Sequence, residues 1–134
     1  MAKVLALVDD LFFGARIAET ARKVGVELEA VSTADALVEK ASAAPGSEAA
    51  SANRPSLIIV DLNARADALG ALTRLQAAGN QTPVVAFLSH VQTELAERAR
   101  AAGCDDVMPR SRFTMELAAI LGRAKAPAGQ GITK

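Results

Sequence analysis

Three aspartates stand at the ends of two apolar segments. Asp9 and Asp10 follow the segment 3–8, and Asp61 follows the segment 57–60. Because an unpaired carboxylate is costly inside a buried sheet, we expect each aspartate where a strand ends and the backbone leaves the sheet. Carboxylates that meet at one edge repel one another, so either one pKa rises or a cation lies among them. Carboxylate oxygens are ligands that suit Mg²⁺. Alternatively, Asp9 and Asp10 could simply cap the following helix, and Asp61 could simply end its strand.

The elements that must position these carboxylates alternate between strand and helix. Apolar runs predict strands at 3–8, 26–31, 57–60, 83–88 and 105–109, and helical periodicity predicts helices at 11–24, 34–43, 65–78, 91–102 and 112–124. This alternation predicts an α/β fold with a five-stranded parallel sheet, strand order 2-1-3-4-5 and helices on both faces. Strands one and three are then neighbours, so Asp9, Asp10 and Asp61 are expected to share one crevice.

Length and composition indicate one domain without the features of a nucleic-acid-binding protein or a membrane protein. Residues 1–124 are predicted to form the domain, with a loop insertion at about 44–55 and a flexible tail at 125–134. The charges of fifteen basic and fifteen acidic residues cancel, so no net positive charge attracts nucleic acid or an anionic membrane. Aromatic residues make up only 3% of the 134-residue chain, which argues against stacking on bases. No segment approaches the ~20 apolar residues of a membrane span, and a lone cysteine, Cys104, is typical of a reducing compartment. We therefore expect a cytoplasmic protein with Cys104 as a buried, inert thiol.

Three segments resemble the signatures of response-regulator receiver domains. They are Val8-Asp9-Asp10, Val60-Asp61-Leu62, and the run from Gly103 to Arg110, in the family's order and spread over residues 3–124. The resemblance implies the flavodoxin-like receiver fold and a role in a phosphorelay. It implies that Asp61 is the phosphoacceptor and that the partner is a histidine kinase or a phosphotransfer protein.

The same resemblance implies a magnesium site beside the phosphoacceptor. Asp10, Asp61 and the backbone carbonyl of Asn63 would bind Mg²⁺ directly, and Asp9 would act through water. An aspartate can serve as the nucleophile in such a transfer, and the metal offsets charge on the phosphoryl group. No separate catalytic residues are implied, so we expect the chain not to be an enzyme.

The residues that report phosphorylation in receivers differ here. The position of the family's Ser or Thr falls on Leu88, and Ser89 comes one residue late, unless a bulge brings it into place. His90, which follows, is expected to be a solvated loop residue. Val107 stands where many receivers carry a switching aromatic side chain.

The family's Lys-Pro pair after the fifth strand is replaced by Arg110-Ser111. Arginine is longer than lysine, planar and permanently charged, so Arg110 could neutralise Asp61 without phosphate. Alternatively, Arg110 could point outward and pair with Asp105 or Asp106. The resemblance makes Ser89 and Arg110 the expected contacts to phosphate.

These features leave three functional hypotheses. The first is a single-domain receiver phosphorylated on Asp61, with output through protein–protein contacts. The second is a pseudo-receiver, a docking or dimerisation module that works without phosphorylation. The third is a small hydrolase or phosphatase with Asp61 as nucleophile. Residues 91–124 carry mixed charges that suit a homodimer face and equally suit plain solvent.

Overall fold

Five parallel strands form one sheet in the computed structural model, which describes residues 2–41, 55–64, 67–89 and 93–125. The strands are β1 (Lys3–Leu7), β2 (Glu27–Val31), β3 (Leu57–Asp61), β4 (Val84–Leu88) and β5 (Asp106–Pro109). They pair in the order β2-β1-β3-β4-β5, and every pair is parallel. The predicted strand order is therefore confirmed, and β1 lies beside β3.

Helices connect the strands and cover both faces of the sheet. They are α1 (Leu11–Val24), α2 (Ala34–Ala41), α3 (Ala68–Ala77), α4 (Thr93–Ala101), α5 (Arg110–Met115) and α6 (Leu117–Gly122), followed by a 3₁₀ turn (Arg123–Lys125). Each helix that the structure describes is too short or too polar to span a membrane.

Alternation along the strands divides the apolar interior into two clusters. Ile58 and Val60 of β3 point to one face, where α2, α3 and α4 cover them. Leu57 and Ile59 point to the other face, where α1, α5 and α6 cover them. Asp61 follows Ile59 by two residues, so its side chain lies on the face covered by α1, α5 and α6.

Helix α1 begins directly after the aspartate pair and ends at a glycine. Asp10 is its N-cap, and the Asp10 Oδ1 atom accepts hydrogen bonds from the backbone N–H groups of Phe12 (3.0 Å) and Phe13 (3.1 Å). Gly25 ends the helix with φ of +93°, a left-handed conformation that glycine adopts without steric cost. The predicted helix 11–24 is confirmed, and its first turn places Phe13 beneath the sheet edge.

The end of the chain differs from the prediction. The predicted helix 112–124 begins earlier, at Arg110, and it is interrupted at Glu116, which separates α5 from α6. An apolar side chain such as that of Met115 is expected in the core, but Met115 is 86% exposed. The buried residues Phe113, Leu117 and Ile120 keep the spacing of one helical face across Glu116, and Met115 lies off that face. The predicted insertion at 44–55 lies almost entirely outside the described residues, as does the predicted tail after residue 125.

Candidate functional site

The ends of β1 and β3 bring the predicted carboxylates together. Leu7 pairs with Val60 in the parallel register. Asp61 directly follows Val60 as the last residue of β3, and Asp10 follows Leu7 by three residues as the N-cap of α1. Both carboxylates contact the same guanidinium group, that of Arg110. Asp9 also lies near enough for its charge to act on Asp61. Asp10 and Asp61, which the strand order was expected to bring together, therefore lie beside one guanidinium group.

Asp61 is the buried member of this group, with only 3% of the residue exposed. Its Oδ1 atom accepts a hydrogen bond of 2.9 Å from the backbone N–H of Asn63. Burial raises the pKa of Asp61 above its ordinary value, because a charged carboxylate loses its hydration. The hydrogen bond from Asn63 and the charge of Arg110 act against this rise, whereas the charges of Asp9 and Asp10 add to it.

Arg110 bridges the two acidic strand ends. Its Nη1 atom lies 3.7 Å from Oδ2 of Asp10, and its Nη2 atom lies 3.8 Å from Oδ2 of Asp61. Arg110 is the first residue of α5, directly after β5, so its guanidinium approaches the two carboxylates from the carboxyl end of a third strand. Of the two roles that the sequence left open for Arg110, the structure shows the contact with Asp61.

The other predicted partners of Arg110 are engaged elsewhere. Asp105 accepts a hydrogen bond of 2.7 Å from the backbone N–H of Val84, which joins the starts of β4 and β5. Asp106 forms an ion pair with Arg123 at 3.7 Å.

A cluster of aromatic rings supports the guanidinium from below. The Cζ atom of Arg110 lies 4.4 Å from the ring centroid of Phe13 and 5.8 Å from that of Phe87. The ring of Phe87 stacks on Phe113 at 4.4 Å and meets Phe13 edge-on at 5.1 Å. The Nε atom of Arg110 is buried and has no hydrogen-bond partner. Packing against the rings and attraction to the carboxylates therefore hold the side chain in place.

Sequence reasoning did not identify this aromatic cluster. The chain has four phenylalanines, and three of them, Phe13, Phe87 and Phe113, meet under Arg110. The available signal was their placement, because each lies within a few residues of Asp10, Leu88 or Arg110.

The structure gives Leu88 and Ser89 different surroundings. Leu88 is 3% exposed and belongs to the apolar cluster on the face away from Asp61. Phe87 pairs with Asp61, and the pairing of β4 with β5 continues regularly to Leu88, so the described strand contains no bulge. Ser89 reaches the site through its backbone, whose N–H donates a hydrogen bond of 2.6 Å to Oδ1 of Asn63. His90 lies outside the described residues.

The present arrangement does not fit a bound Mg²⁺ ion. Among the residues that the structure describes, no group of three or more His, Cys, Asp or Glu side chains is placed to hold a metal. The guanidinium of Arg110 contacts both Asp10 and Asp61. The Oδ1 atom of Asp10 is also engaged at the start of α1. Two of the side chains that the sequence assigned to a metal, those of Asp10 and Asp61, thus lie beside a cation of the protein itself, the guanidinium of Arg110.

Comparisons with solved structures identify the fold. No protein-family model matches the sequence, and no curated protein matches it either. The receiver domain of the Francisella response regulator 1452 is 19% identical, with a TM-score of 0.73 over 93% of this chain and 98% of that one. The chemotaxis response regulator CheY4 of Vibrio cholerae is 23% identical, with a TM-score of 0.72 over 92% and 98%. The Mn²⁺-bound form of response regulator Rcp1 is 17% identical, with a TM-score of 0.70 over 95% and 94%. The chain has the receiver-domain fold.

In this receiver-fold domain, two further residues of the matching segments are buried. Val107 stands in β5 and Cys104 just before it, and each is 8% exposed. Burial, together with the charge of Asp105, raises the pKa of the Cys104 thiol to about 12. The surface of α4 is mostly charged and exposed, and its use as a homodimer face remains a prediction.

Proposed function

We propose that this domain is a signalling module that docks to a partner protein without phosphorylation of Asp61. The observation that carries the proposal is the double contact of Arg110 with Asp10 and Asp61. A permanent positive charge at this point offsets the repulsion of the carboxylates, which in a phosphorylated receiver would call for a metal ion.

The burial of Asp61 supports the same proposal. A nucleophile must be reached by the group that it attacks, and the Asp61 side chain is only 4% exposed. Arg110 lies against the carboxylate, and the raised pKa of Asp61 also lowers the share of the ionised, nucleophilic form. Each of these features works against transfer of a phosphoryl group to this atom.

A second candidate is the phosphorylated receiver. Its support is the placement of Asp61 beside Asp10 at the carboxyl edge of a receiver-type sheet, and one similar structure, Rcp1, is a Mn²⁺-bound form. In that case a histidine kinase or phosphotransfer protein would be the partner, and Mg²⁺ would be needed. Arg110 would first have to leave the space between the two carboxylates. We propose no enzymatic activity for either candidate, and no observation favours the hydrolase hypothesis.

Phosphoryl transfer separates the two candidates directly. The purified chain and the variant Asp61→Asn are incubated with acetyl phosphate and Mg²⁺, and their intact masses are recorded over time. The docking proposal predicts no added phosphoryl group on either protein. A phosphoryl group on the wild type that is missing from Asp61→Asn would overturn it in favour of the phosphorylated receiver.

A further inference from the structure

The acidic crevice already contains a cation from the chain itself. Asp9, Asp10 and Asp61 place three negative charges near one strand edge, and Arg110 lies in ion-pair range of two of them. The two Nη atoms lie near different carboxylates, that of Asp10 at the start of α1, just after β1, and that of Asp61 at the end of β3. Arg110 therefore bridges two strand ends instead of forming a fork on one carboxylate.

The surroundings of Arg110 keep it in this bridging position. One face of the guanidinium packs on Phe13, and Phe87 lies just beyond. The Nε–H group is buried without a hydrogen-bond partner, which is unfavourable. The side chain keeps this position nevertheless, so the rings and the carboxylates must more than offset that loss.

We propose that Arg110 is the residue that decides which cation this crevice holds, and that it excludes divalent metal ions. The proposal rests on the docking function, because a domain that works without phosphate has no need for the metal. Phe13 acts as a positioning residue, because its ring determines where the guanidinium lies.

Metal binding by variants of the full chain tests this proposal. Mn²⁺ is titrated into ¹⁵N-labelled wild type and Arg110→Gln, and paramagnetic broadening of the amide signals near Asp61 is followed. We expect Arg110→Gln to bind Mn²⁺ at least about tenfold more tightly than the wild type. The matched control is Arg112→Gln, in the same helix, where Arg112 pairs with Glu116 on the surface. This control should behave as the wild type does.

Two further variants make the result specific. The gained affinity should disappear in the double variant Arg110→Gln/Asp61→Asn, because Asp61 would be one of the metal ligands. Phe13→Leu retains Arg110 but removes the ring beneath it, so its affinity for Mn²⁺ should lie between those of wild type and Arg110→Gln. If the amide spectrum shows that Arg110→Gln does not fold, the affinity of Phe13→Leu for Mn²⁺ decides alone: an affinity equal to that of the wild type overturns the proposal.

The outcomes distinguish this inference from the proposed function. A folded Arg110→Gln that binds Mn²⁺ no more tightly than the wild type overturns the role of Arg110, yet leaves the docking function standing. Phosphorylation of the wild type on Asp61 overturns the docking function, whereas the ratio of metal affinities still decides the role of Arg110.

Discussion

The guanidinium of Arg110 stacks on the ring of Phe13, with its Cζ atom 4.4 Å from the ring centroid. Phe13 belongs to the first helix and Arg110 to the fifth, so the contact joins two segments that are almost a hundred residues apart in the chain. Because Phe13 also packs on Phe87 and Phe113, the position of the charged group depends on the apolar core. Changes in that core should therefore affect the crevice.

The neighbouring residues Phe12 and Phe13 offer a matched test of that core. Phe13 is 9% exposed and Phe12 is 91% exposed. Phe13→Ala should lower the free energy of unfolding by about 3–5 kcal/mol, because it leaves a cavity among the rings. Phe12→Ala should change it by less than about 0.5 kcal/mol. Urea denaturation measures both values, and equal losses in the two variants would contradict the packing of Phe13 among the rings.

Asp61 should make the protein less stable as the pH rises. Burial, the largest cause, raises its pKa in the folded protein above the ordinary value of 3.8. The stability that this group contributes is thus fully present below pH 3.8 and is lost as the pH rises through the folded-state pKa. Asp61→Asn lacks this loss, so its stability relative to wild type should increase with pH. The increase should be about 1.4 kcal/mol for every pH unit that separates the folded-state pKa from the ordinary one.

Denaturant midpoints of the two proteins, measured from low pH to neutral pH, give this difference. A wild type that gains stability over Asp61→Asn as the pH rises would show that Arg110 and Asn63 outweigh burial.

Glu29 should show the opposite dependence on pH. It pairs with Lys3 at 2.8 Å and with Lys40 at 2.7 Å, and these partners lower its pKa from 4.5. Its contribution is therefore present above pH 4.5 and is lost as the pH falls through the lower, folded-state pKa. At neutral pH, Glu29→Gln should reduce the free energy of unfolding by less than about 1 kcal/mol. This reduction in the free energy of unfolding should become smaller as the pH falls.

Glu27→Gln provides the control, because Glu27 lies on the same strand and is exposed. A loss in Glu29→Gln that persists at acid pH, or an equal loss in Glu27→Gln, would argue against the ion pairs as its cause.

Cys104 should resist alkylation until the protein unfolds. Its pKa of about 12 leaves only about one thiol in ten thousand ionised at pH 8, and the residue is buried. We expect iodoacetamide to add little mass to the native protein and to label the thiol fully in urea. Rapid labelling of the native protein would show that the segment around Cys104 opens readily.

The sequence was sufficient to predict the sheet, because each buried strand is a short apolar run between turn residues. The order of the strands placed Asp10 and Asp61 at neighbouring ends, which the structure confirms. The local sequence pattern could not show whether Arg110 contacts Asp61 or points outward to Asp105 or Asp106. That choice depends on Phe13 and Phe87, which approach from other segments.

Two further differences have equally physical causes. Counting residues placed Leu88 at the site, but the alternation of side chains in β4 directs Leu88 to the opposite face. Apolar character alone suggests a core position for Met115, but the buried residues Phe113 and Leu117 lie on another face of the helix, so Met115 is exposed. In β4, one residue of offset changes the face of the sheet on which a side chain lies.

Lys125 donates a hydrogen bond of 3.1 Å from Nζ to the carbonyl oxygen of Val24, the last residue of the first helix. That helix runs about 20 Å from the acidic edge to the opposite edge of the sheet. Lys125 therefore lies on the side of the domain away from the carboxylates. Coupling the protein to a sensor surface through the side on which Lys125 lies should leave the crevice facing the solution, so captured partners can be compared between wild type and crevice variants on one sensor surface.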